Sequence, residues 1–561
     1  MKIKHLSFAI ASAVVLAGCN SSSSDKPGSD HPNFGWELGA AEVSDTTNVN
    51  SWFNQAAERI EGIQHEFELS RYDSAGKAKN IILFIGDGMG ISTVTAGRIL
   101  EAQQRYGMEF GEEHQVVFEK FPHTALSKTY NSDATVPDSA ATMSAMMTGV
   151  KNRQSVIGLD ESVWYDQCDS AIYEAQLISA LDLAKIGGKS TGVVTTTSVT
   201  HATPAATYAY SPNRNWEVDT AEGLNGCIPD IAKQLIDYQH KFDNGYAGFS
   251  TELSSGMDVI LGGGRGLFTL GNGELFSEGE REDEDLIELW KARNPGGAYV
   301  ASGGELAELN LNEHSTILGL FAESQLDFDL YRGDTDQPSL SEMTVAALTV
   351  LQKNEDNGFF LMVEGGRIDH GHHFGSSKNA LYDFMAFNKA IEKAIDMTSD
   401  SAEETLIIVS ADHSHVFTIG GNPQRGNHIL DLVYDVNDKL VQADDGKPFT
   451  ALHYANGLNG GTDEFEFCQP GYGCFNFTGT FEDNGERKHP GTSEQALANG
   501  YAQQSTVPLP VESHAGEDVG IWAIGPGSEQ VRGVLEQNSI FHIMERAGNL
   551  IEKLKKRLTN L

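Results

Sequence analysis

Residues 358–375 read GFFLMVEGGRIDHGHHFG, a stretch that joins an apolar run to a dense group of polar side chains. The run FFLMV is continuous rather than alternating, which is typical of a strand buried on both faces of a sheet. Five side chains that can bind a metal follow it: Glu364, Asp369, His370, His372 and His373. Carboxylate oxygens and imidazole nitrogens are ligands that zinc prefers. The stretch therefore predicts a buried strand that delivers metal ligands to one edge of a sheet.

Four other apolar runs end at polar side chains or begin just after them. They are NIILFIGDGMG with Asp87, STGVVTTTSVTHATP with His201 and Thr203, TLIIVSADHSH with Asp412 and His413, and DVGIWAIG after His514. Helical patterns such as SLSEMTVAALTVLQK and NALYDFMAFNKAIEKAIDM lie between the runs. Alternating strands and helices predict an α/β fold with a large, mostly parallel central sheet between helices. Ligands bind at the carboxyl ends of such strands, where four of the five polar clusters fall.

Residues 417–505 interrupt this alternation. The segment is rich in Gly, Asn and Asp, and it contains the loop between Cys468 and Cys474. It predicts an irregular, crown-like insertion near the entrance of the site, within one catalytic domain over residues 35–561.

The first eighteen residues indicate export. Lys2 and Lys4 precede the apolar run LSFAIASAVVLAG, which is too short to span a membrane. Residues 16–19, LAGC, resemble the cleavage site of a bacterial lipoprotein signal over residues 1–18, which would leave a lipid on Cys19 and a flexible tether over residues 19–34. An ordinary secretory signal with an incidental Cys19 is the alternative. We expect an exported bacterial protein, in the periplasm or at the cell surface, anchored to a membrane by the lipid.

The other cysteines are Cys168, Cys227, Cys468 and Cys474. Disulfides persist in exported proteins, and four cysteines allow three pairings. Cys468 and Cys474 are close together across the turn-rich residues QPGYG, so we expect them to pair, which leaves Cys168 with Cys227. Free buried thiols are the alternative.

The charge balance is strongly acidic, with 39 Lys and Arg against 79 Asp and Glu and a formal net charge of −40. Long-range attraction to nucleic acid or to an anionic membrane surface is therefore not expected. The excess of acids indicates a solvated surface, and contact with a membrane is expected through the N-terminal lipid alone.

The run TVPDSAATMSAMMTG indicates a nucleophile. Ser139 follows Asp138 and precedes a helical pattern, which places its hydroxyl at a helix N-terminus, where phosphate and negative charge are favoured. The alternative is that Asp138 and Ser139 only cap the helix. The sequence has no G-x-S-x-G elbow, so metal activation is the expected route to a serine nucleophile. Arg214, in SPNRNWEVD, is a candidate for bidentate binding of an anionic substrate.

The candidate metal ligands are stronger evidence as a group than singly. Asp369 and His373 are four residues apart, and they share a face if a helix begins near residue 368. A single Asp–His pair of this kind is more often structural than metal-binding. The recurrence of such side chains after several strands predicts metal binding by Asp87, Asp369, His373, Asp412, His413 and His514.

Six motifs occur in order between about residues 78 and 545: DGMG, PDSAAT, THATPAATYAYSPNRNW, VEGGRIDHGHH, SADHSHVF and SHAGEDV. Together they resemble the motifs of alkaline phosphatases. The resemblance is to the animal type as much as to the bacterial type, because His201 and His370 stand where some bacterial members carry Asp and Lys. It implies a large central sheet between helices, hydrolysis of phosphate monoesters and, usually, a homodimer.

The resemblance also implies a role for each site residue. One zinc would be held by Asp369, His373 and His514, and a second zinc by Asp87, Asp412 and His413. Magnesium would be held by Asp87, Thr203 and Glu364, with His201 behind these ligands. The residues around the substrate would be Ser139 as the nucleophile that forms a phosphoserine, Arg214 as the phosphate clamp, and Asp138 and His370 beside them. His372 has no ligand role and is interpreted as local support.

Animal members of the family carry a further site for calcium. Its acidic positions fall on Ala322 and Gln337 in this chain, although Glu323 and Asp336 lie nearby. Calcium is therefore not expected.

Two other interpretations remain open at this point. The chain could be a phosphodiesterase, sulfatase or phosphomutase of the same superfamily, or an inactive lipoprotein that binds metal or phosphate. Ser139 with Arg214 favours monoesters, and the complete ligand set favours an active enzyme.

Overall fold

The computed structural model describes residues 77–237, 256–271, 279–469 and 473–558. The predicted signal peptide over residues 1–18, Cys19 and the tether over residues 19–34 lie outside the described residues. Within the described ranges, no helix combines the length and the apolar character that crossing a membrane requires.

The described residues form seventeen strands, numbered here in chain order. They are β1 Asn80–Gly86, β2 His123–Lys128, β3 Ser190–Ser198, β4 Val259–Gly263, β5 Ala298–Val300, β6 Ile317–Leu320, β7 Phe359–Gly365, β8 Thr405–Ala411, β9 Ser414–His415, β10 Phe417–Ile419, β11 Leu452–Gly457, β12 Glu464–Gln469, β13 Gly473–Thr478, β14 Ser505–Pro508, β15 His514–Ala515, β16 Val519–Ile524 and β17 Gly533–Glu536.

The α-helices of the described residues range from one turn to six turns. They are Ile91–Arg105, Ser139–Thr148, Ala171–Glu174, Ala180–Ile186, Ala202–Ala205, Ile231–Ile236, Leu286–Arg293, Gly303–Glu308, Asp329–Arg332, Leu340–Leu351, Arg367–His373, Ser377–Thr398, Ser493–Ala496, Ser539–Gly548 and Leu550–Leu558.

A ten-stranded sheet forms the centre of the described part of the chain, in the order β17-β2-β16-β8-β1-β7-β3-β4-β6-β5. The strands from β8 to β5 are parallel to their neighbours. β16 is antiparallel to both β8 and β2. The predicted α/β fold with a large, mostly parallel sheet is therefore confirmed. The difference lies in the run DVGIWAIG, which forms the antiparallel strand β16.

The register of the central strands brings their carboxyl ends level. Gly86 of β1 is paired with Gly365 of β7 and with Ala411 of β8. The residues that follow these strands therefore emerge side by side at one edge of the sheet. Because β16 is antiparallel, its amino end lies at the same edge, which is why His514 reaches the site from before a strand.

Both faces of the sheet are buried. Along β1, Ile81, Leu83 and Ile85 belong to one hydrophobic cluster. The alternate residues Ile82 and Phe84 belong to a second cluster. Each fully buried side chain of this size contributes about 1.5–3 kcal/mol to the hydrophobic stabilisation. This two-sided burial explains the continuous apolar runs in the sequence and holds the strand ends rigidly.

Residues 417–505 lie outside the ten-stranded sheet. In this segment and just after it, β10, β11 and β14 form a three-stranded sheet, and β12 and β13 form a hairpin. Cys468 and Cys474 form a disulfide across this hairpin, and Cys168 forms the other with Cys227, so both predicted pairings are confirmed. The ring of Phe374, which follows the Arg367–His373 helix, stacks on Phe475 of β13 at 4.8 Å. The insertion thus packs against the helix that carries the predicted ligands.

Candidate active site

Asp87, Asp412 and His413 form a first cluster, and all three side chains are fully buried. His413 Nε2 lies 3.2 Å from Asp412 Oδ2 and 3.5 Å from Asp87 Oδ1. Gly88 makes this approach possible. Its backbone has φ +67, its N–H donates to Asp412 Oδ1 at 2.9 Å, and a Cβ there would collide with the ring of His415.

Asp369, His373 and His514 form a second cluster, joined by His415. Asp369 Oδ1 lies 3.4 Å from the Nε2 atoms of His373 and His514, and 2.7 Å from that of His415. Asp369 and His373 come from successive turns of one helix, as the spacing predicted. β9 pairs with β15 so that His415 is opposite His514. The structure therefore adds His415 to the three predicted residues.

Glu364, Asp87 and His201 form a third cluster. Oε2 of Glu364 accepts hydrogen bonds from the hydroxyls of Thr195 and Thr197, the latter at 3.0 Å. The hydroxyl of Thr203 lies 3.4 Å from Asp87 Oδ2. Thr203 and His201 therefore both lie beside Asp87, which belongs to the first and third clusters together.

Without bound cations, the ionised carboxylates of these clusters are unfavourable, because they are buried and repel one another. Burial raises the pKa of Asp87 well above its ordinary value, and the neighbouring Asp412, Asp369 and Glu364 raise it further. Burial likewise raises the pKa of Glu364 to about 7. Among the described residues, Asp87 Oδ1, Glu364 Oε1 and Asp412 Oδ2 are buried with no hydrogen-bond partner.

Buried carboxylates in this arrangement need cations. Unpaired buried charge costs several kcal/mol, and protein side chains supply too little positive charge here to offset it. The orphaned oxygens and the mixed oxygen and nitrogen donors fit bound metal ions, so the residues present suit the metals that the sequence predicted.

Asp369 has the opposite electrostatic setting. Burial would raise its pKa, but His373 and the hydrogen bond from His415 hold it well below its ordinary value. Burial would lower the pKa of His415, but Glu512 and Asp369 raise it to about 10. Nδ1 of His415 lies 2.6 Å from Glu512 Oε2, and the Glu512 side chain is fully buried. His415 therefore links Asp369 to a second carboxylate.

Ser139 is the first residue of the Ser139–Thr148 helix, and Asp138 is its N-cap. The Asp138 side chain accepts hydrogen bonds from the N–H groups of Ala141 at 3.3 Å and Ser155 at 3.0 Å. Ser139 Oγ lies 3.2 Å from His413 Nε2. The two interpretations of this motif are therefore compatible, because Asp138 caps the helix while the Ser139 hydroxyl faces the first metal-ligand cluster.

Arg214 lies beside the same helix N-terminus. Its Nη1 donates to Asp138 Oδ2 at 3.0 Å, and its Nη2 lies 3.1 Å from His201 Nε2. One fifth of its side chain remains exposed. The guanidinium is thus held by two fixed partners and stays accessible to an anion.

His370 and His372 leave the same helix in different directions. The half-buried ring of His370 meets the ring of His201 edge to face at 5.5 Å. His372 is fully buried, with Nε2 3.0 Å from the Thr93 hydroxyl and Nδ1 2.8 Å from the Tyr454 hydroxyl. These contacts connect the ligand helix to its neighbours, which agrees with the interpretation of His372 as local support.

Sequence reasoning missed three residues of this region: Arg367, His415 and Glu512. His415 carried a signal, since it is two residues after His413 in the run DHSH, and alternate residues of an extended segment share a side. Glu512 carried none, because its contact with His415 depends on pairing of distant segments. Arg367 carried none, because the tertiary structure decides its burial and its packing on Phe328.

The region expected to lack calcium is satisfied in part by its own side chains. Arg265 donates from Nε to Glu323 Oε1 at 2.9 Å. Gln337 donates from Nε2 to Asp327 Oδ2 at 3.1 Å. Glu323 Oε1 and Asp327 Oδ2 therefore have protein partners, whereas Glu323 Oε2 is buried without a hydrogen-bond partner in the described residues.

Carboxylates that only cations can neutralise lie here next to a hydroxyl at a helix N-terminus and an accessible arginine. This combination defines a metal-dependent enzyme that acts on an anionic substrate.

Comparison with known proteins defines the family. The family model for alkaline phosphatase matches residues 78–550. The tissue-nonspecific alkaline phosphatase of Gallus gallus is 41% identical over 485 residues, which cover 84% of either chain. The tissue-nonspecific enzyme of Homo sapiens is 40% identical over 510 residues, 88% of either chain. The alkaline phosphatase of Gadus morhua is 41% identical over 84% of this chain and 92% of its own.

Solved structures show the same fold. The alkaline phosphatase of Thermus thermophilus has a TM-score of 0.55 at 22% identity, over 86% of this chain and 96% of its own. That of a psychrophilic Shewanella sp. has a TM-score of 0.54 at 23% identity, over 84% and 99%. The chain belongs to the alkaline phosphatase family, and it is a metal-dependent hydrolase of phosphate monoesters. The diesterase and inactive interpretations are not favoured.

Proposed function

We propose that the chain cleaves phosphate monoesters through a phosphoserine on Ser139, and that it uses two zinc ions and one magnesium ion. The observation that carries the proposal is the convergence on His413. Its Nε2 lies 3.2 Å from both Ser139 Oγ and Asp412 Oδ2, and 3.5 Å from Asp87 Oδ1. A nucleophile and a set of metal ligands thus meet at one point.

The donor chemistry of each cluster supports the metal assignment. Asp369, His373 and His514 would hold one zinc, and Asp87, Asp412 and His413 the other, because three nitrogen and oxygen ligands with an open position suit catalytic zinc. The oxygen donors Asp87, Thr203 and Glu364 would hold magnesium, with His201 behind them. A solved variant of the TAB5 alkaline phosphatase holds Mg in the site named M3. When bound, such ions lower the pKa of a hydroxyl and stabilise a leaving alkoxide.

The chain's own residues supply orientation. The N-terminus of the Ser139–Thr148 helix favours negative charge on the Ser139 oxygen and on the phosphate. Arg214 binds two phosphate oxygens once its contact with Asp138 fixes the guanidinium plane. His370, beside His201, is placed to contact the phosphate directly or through water. In-line attack by the Ser139 oxygen forms a bond to phosphorus as the bond to the ester oxygen breaks and the alcohol leaves. Water then hydrolyses the phosphoserine, which releases inorganic phosphate and returns a proton to Ser139.

We also propose the location, the membrane anchor and the oligomeric state that the sequence indicated: export to the periplasm or the cell surface, a lipid on Cys19, and a homodimer. Two disulfides support export, because disulfides persist in oxidising compartments. The family resemblance supports the dimer. Metabolic labelling with a fatty acid in cells that express Cys19→Ser and the unchanged chain would test the anchor, and light scattering would test the dimer.

The phosphoserine is tested with soluble protein that lacks residues 1–19. The protein is incubated with ³²P-labelled phosphate or p-nitrophenyl phosphate, quenched in acid and digested. We expect label on the peptide that contains Ser139, and none in Ser139→Ala, which should keep its zinc and magnesium. Ser162→Ala, at an exposed serine, is the matched control and should behave as wild type. Turnover or labelling that persists in Ser139→Ala would contradict the assignment.

A further inference from the structure

Arg367 is a fully buried arginine at the start of the Arg367–His373 helix, three residues before His370. Its Nη1 lies 2.8 Å from His370 Nδ1. A guanidinium is always charged and has only donors, so Nδ1 must be the acceptor in this contact. An imidazolium has no acceptor nitrogen. The contact therefore requires a neutral His370 ring whose proton is on Nε2.

Several contacts hold Arg367 in this position. The guanidinium carbon lies 3.8 Å over the ring of Phe328, and this ring packs edge to face against Phe475 at 6.2 Å. The backbone N–H of Arg367 donates to the Thr196 hydroxyl at 3.2 Å. A planar group that packs on an aromatic face, itself packed against the insertion, has little freedom to leave its partner.

Buried acids near Arg367 indicate where its charge is balanced. Burial raises the pKa of Asp383 and of Asp327, and the positive charge of Arg367 opposes the rise at both carboxyls. Arg367 therefore lies near enough to both carboxyls to favour their charged forms. Because an acceptor nitrogen carries no negative charge, the bond to His370 contributes orientation of the ring rather than charge balance.

The surroundings of His370 link this contact to the substrate. Its half-buried ring lies 5.5 Å from the ring of His201, and His201 Nε2 lies 3.1 Å from Arg214 Nη2. These contacts place the His370 ring next to the arginine that would bind the phosphate.

We propose that Arg367 is a positioning residue: its hydrogen bond to His370 Nδ1 fixes the ring so that Nε2 carries the ring proton and donates to the substrate phosphate or to a water beside it. This inference rests on the proposed function. The phosphate or water accepts the hydrogen bond, and no proton is transferred from His370.

A double-mutant cycle with Arg367→Met and His370→Ala tests the proposal. Met fills similar space over Phe328 but cannot donate. In metal-loaded protein, Arg367→Met should lower kcat/KM for p-nitrophenyl phosphate about tenfold or more, because a charge-assisted hydrogen bond is lost. In the His370→Ala background the same change should cost less than about twofold. Arg367→Lys, which keeps the charge and a donor, should recover part of the loss.

Two results of the double-mutant cycle would overturn the proposal. Equal losses of kcat/KM from Arg367→Met in both backgrounds would show a structural role. An unchanged kcat/KM in the single variant would show that Arg367 has no role in activity. Arg281→Met is the matched control, since Arg281 is also fully buried but is bound by Asp230 outside the site. It should lower stability without coupling to His370→Ala.

A second measurement does not depend on turnover. In metal-loaded protein with ¹⁵N-labelled histidine, the His370 ring should show the pattern of the Nε2–H tautomer, assigned by its loss in His370→Ala. An Nδ1–H tautomer or an imidazolium in the unchanged protein would overturn the proposal. If the protein hydrolysed no phosphate monoester, the proposed function would fail, but the spectrum would still test the role of Arg367. The spectrum of the unchanged protein would also test that role if Arg367→Met did not fold.

Discussion

Two buried ionic clusters in this molecule differ in the source of their positive charge, and the difference distinguishes a structural cluster from a functional one. Around Arg281, the guanidinium donates to both oxygens of Asp230 at 2.9 and 3.0 Å and to Asp283 Oδ1 at 2.8 Å. Around Asp87, several carboxylates face one another, and Asp87 Oδ1 has no hydrogen-bond partner in the described residues. In the first cluster the chain itself supplies the cation, Arg281, whereas the second cluster needs cations from solution.

The difference follows from what each cluster must do. A buried ion pair completed by protein groups adds specificity and little else, and its parts are costly to remove. A carboxylate cluster left unsatisfied is unfavourable until metal ions bind, and binding then contributes to stability. In these two clusters, carboxylates that face one another without a protein cation indicate a metal site, and acids that are paired with Arg281 belong to the scaffold.

The largest expected effect is on activity after metal removal. Chelation followed by dialysis should lower kcat/KM for p-nitrophenyl phosphate about a thousandfold or more, because metal ions supply several kcal/mol of transition-state stabilisation. Activity should return fully only when zinc and magnesium are added together. Activity that survives verified loss of metal, measured by emission spectrometry, would break the distinction between the two clusters.

The next effect is on stability, and it has opposite signs in the two clusters. In metal-free protein, Asp87→Asn should raise the free energy of unfolding by about 1–3 kcal/mol, because it removes a repelled buried charge. Asp230→Asn should lower the free energy of unfolding by about 3 kcal/mol or more, because it leaves Arg281 short of a partner.

Urea unfolding of both variants, in chelator, measures these changes in stability. The Asn side chain of Asp230→Asn can still accept the capping hydrogen bond from Lys233 N–H, so loss of the cap does not explain a decrease. Two changes of the same sign would show that the clusters do not differ in the proposed way.

A smaller effect is expected in the pH dependence of the metal-free protein. The pKa of Glu364 is raised by burial from 4.5 to about 7, so the folded chain holds a proton that the unfolded chain releases. The resulting stabilisation is present at low pH, decreases as the pH rises above about 4.5, and is lost above about 7.

The measurement is the free energy of unfolding in chelator at several pH values, with Glu364→Gln as the comparison. In Glu364→Gln, the free energy of unfolding should decrease less steeply as the pH rises from about 4.5 to about 7. Stability of the metal-free wild type that increases with pH over this interval would contradict the expected protonation of the carboxylate cluster.

The smallest expected effect concerns calcium. One oxygen of Glu323 and one of Asp327 accept from Arg265 and Gln337, and Ala322 and Gln337 stand where the resemblance places acids of the calcium site. Calcium added to zinc- and magnesium-loaded protein should shift Tm by less than about 1 °C, since a ligand that does not bind gives no stabilisation. A saturable upward shift would reveal a site that this reasoning excludes.

Much of the site could be predicted because its ligands follow apolar runs directly. Asp87, Asp412 and His413 come one or two residues after strands whose burial is visible in the sequence, and equal register brings such ends together. The spacing of Asp369 and His373 fixed their common helix face. The limits of the catalytic domain and of the insertion over residues 417–505 stay predictions, because composition indicates where a pattern changes and not where a domain ends.

Local sequence also could not reveal contacts between distant segments. The direction of β16 was not predictable, because a continuous apolar run has the same pattern in a parallel and in an antiparallel strand. The contacts of His415 with Asp369 and Glu512 depend on β9 pairing with β15, across about a hundred residues of chain.

The sequence by itself determined the α/β fold and the disulfide across the β12–β13 hairpin, and it predicted the candidate site residues, since each depends on periodicity, residue chemistry or short chain separation. Only the tertiary structure decided which carboxylates are left without partners and which nitrogen of His370 accepts a hydrogen bond. The unpartnered carboxylates are set by distances of a few ångströms between segments far apart in the chain, where charge is costly. The His370 contact is local in the chain, but the tertiary structure buries Arg367 and packs it on Phe328, which fixes its direction.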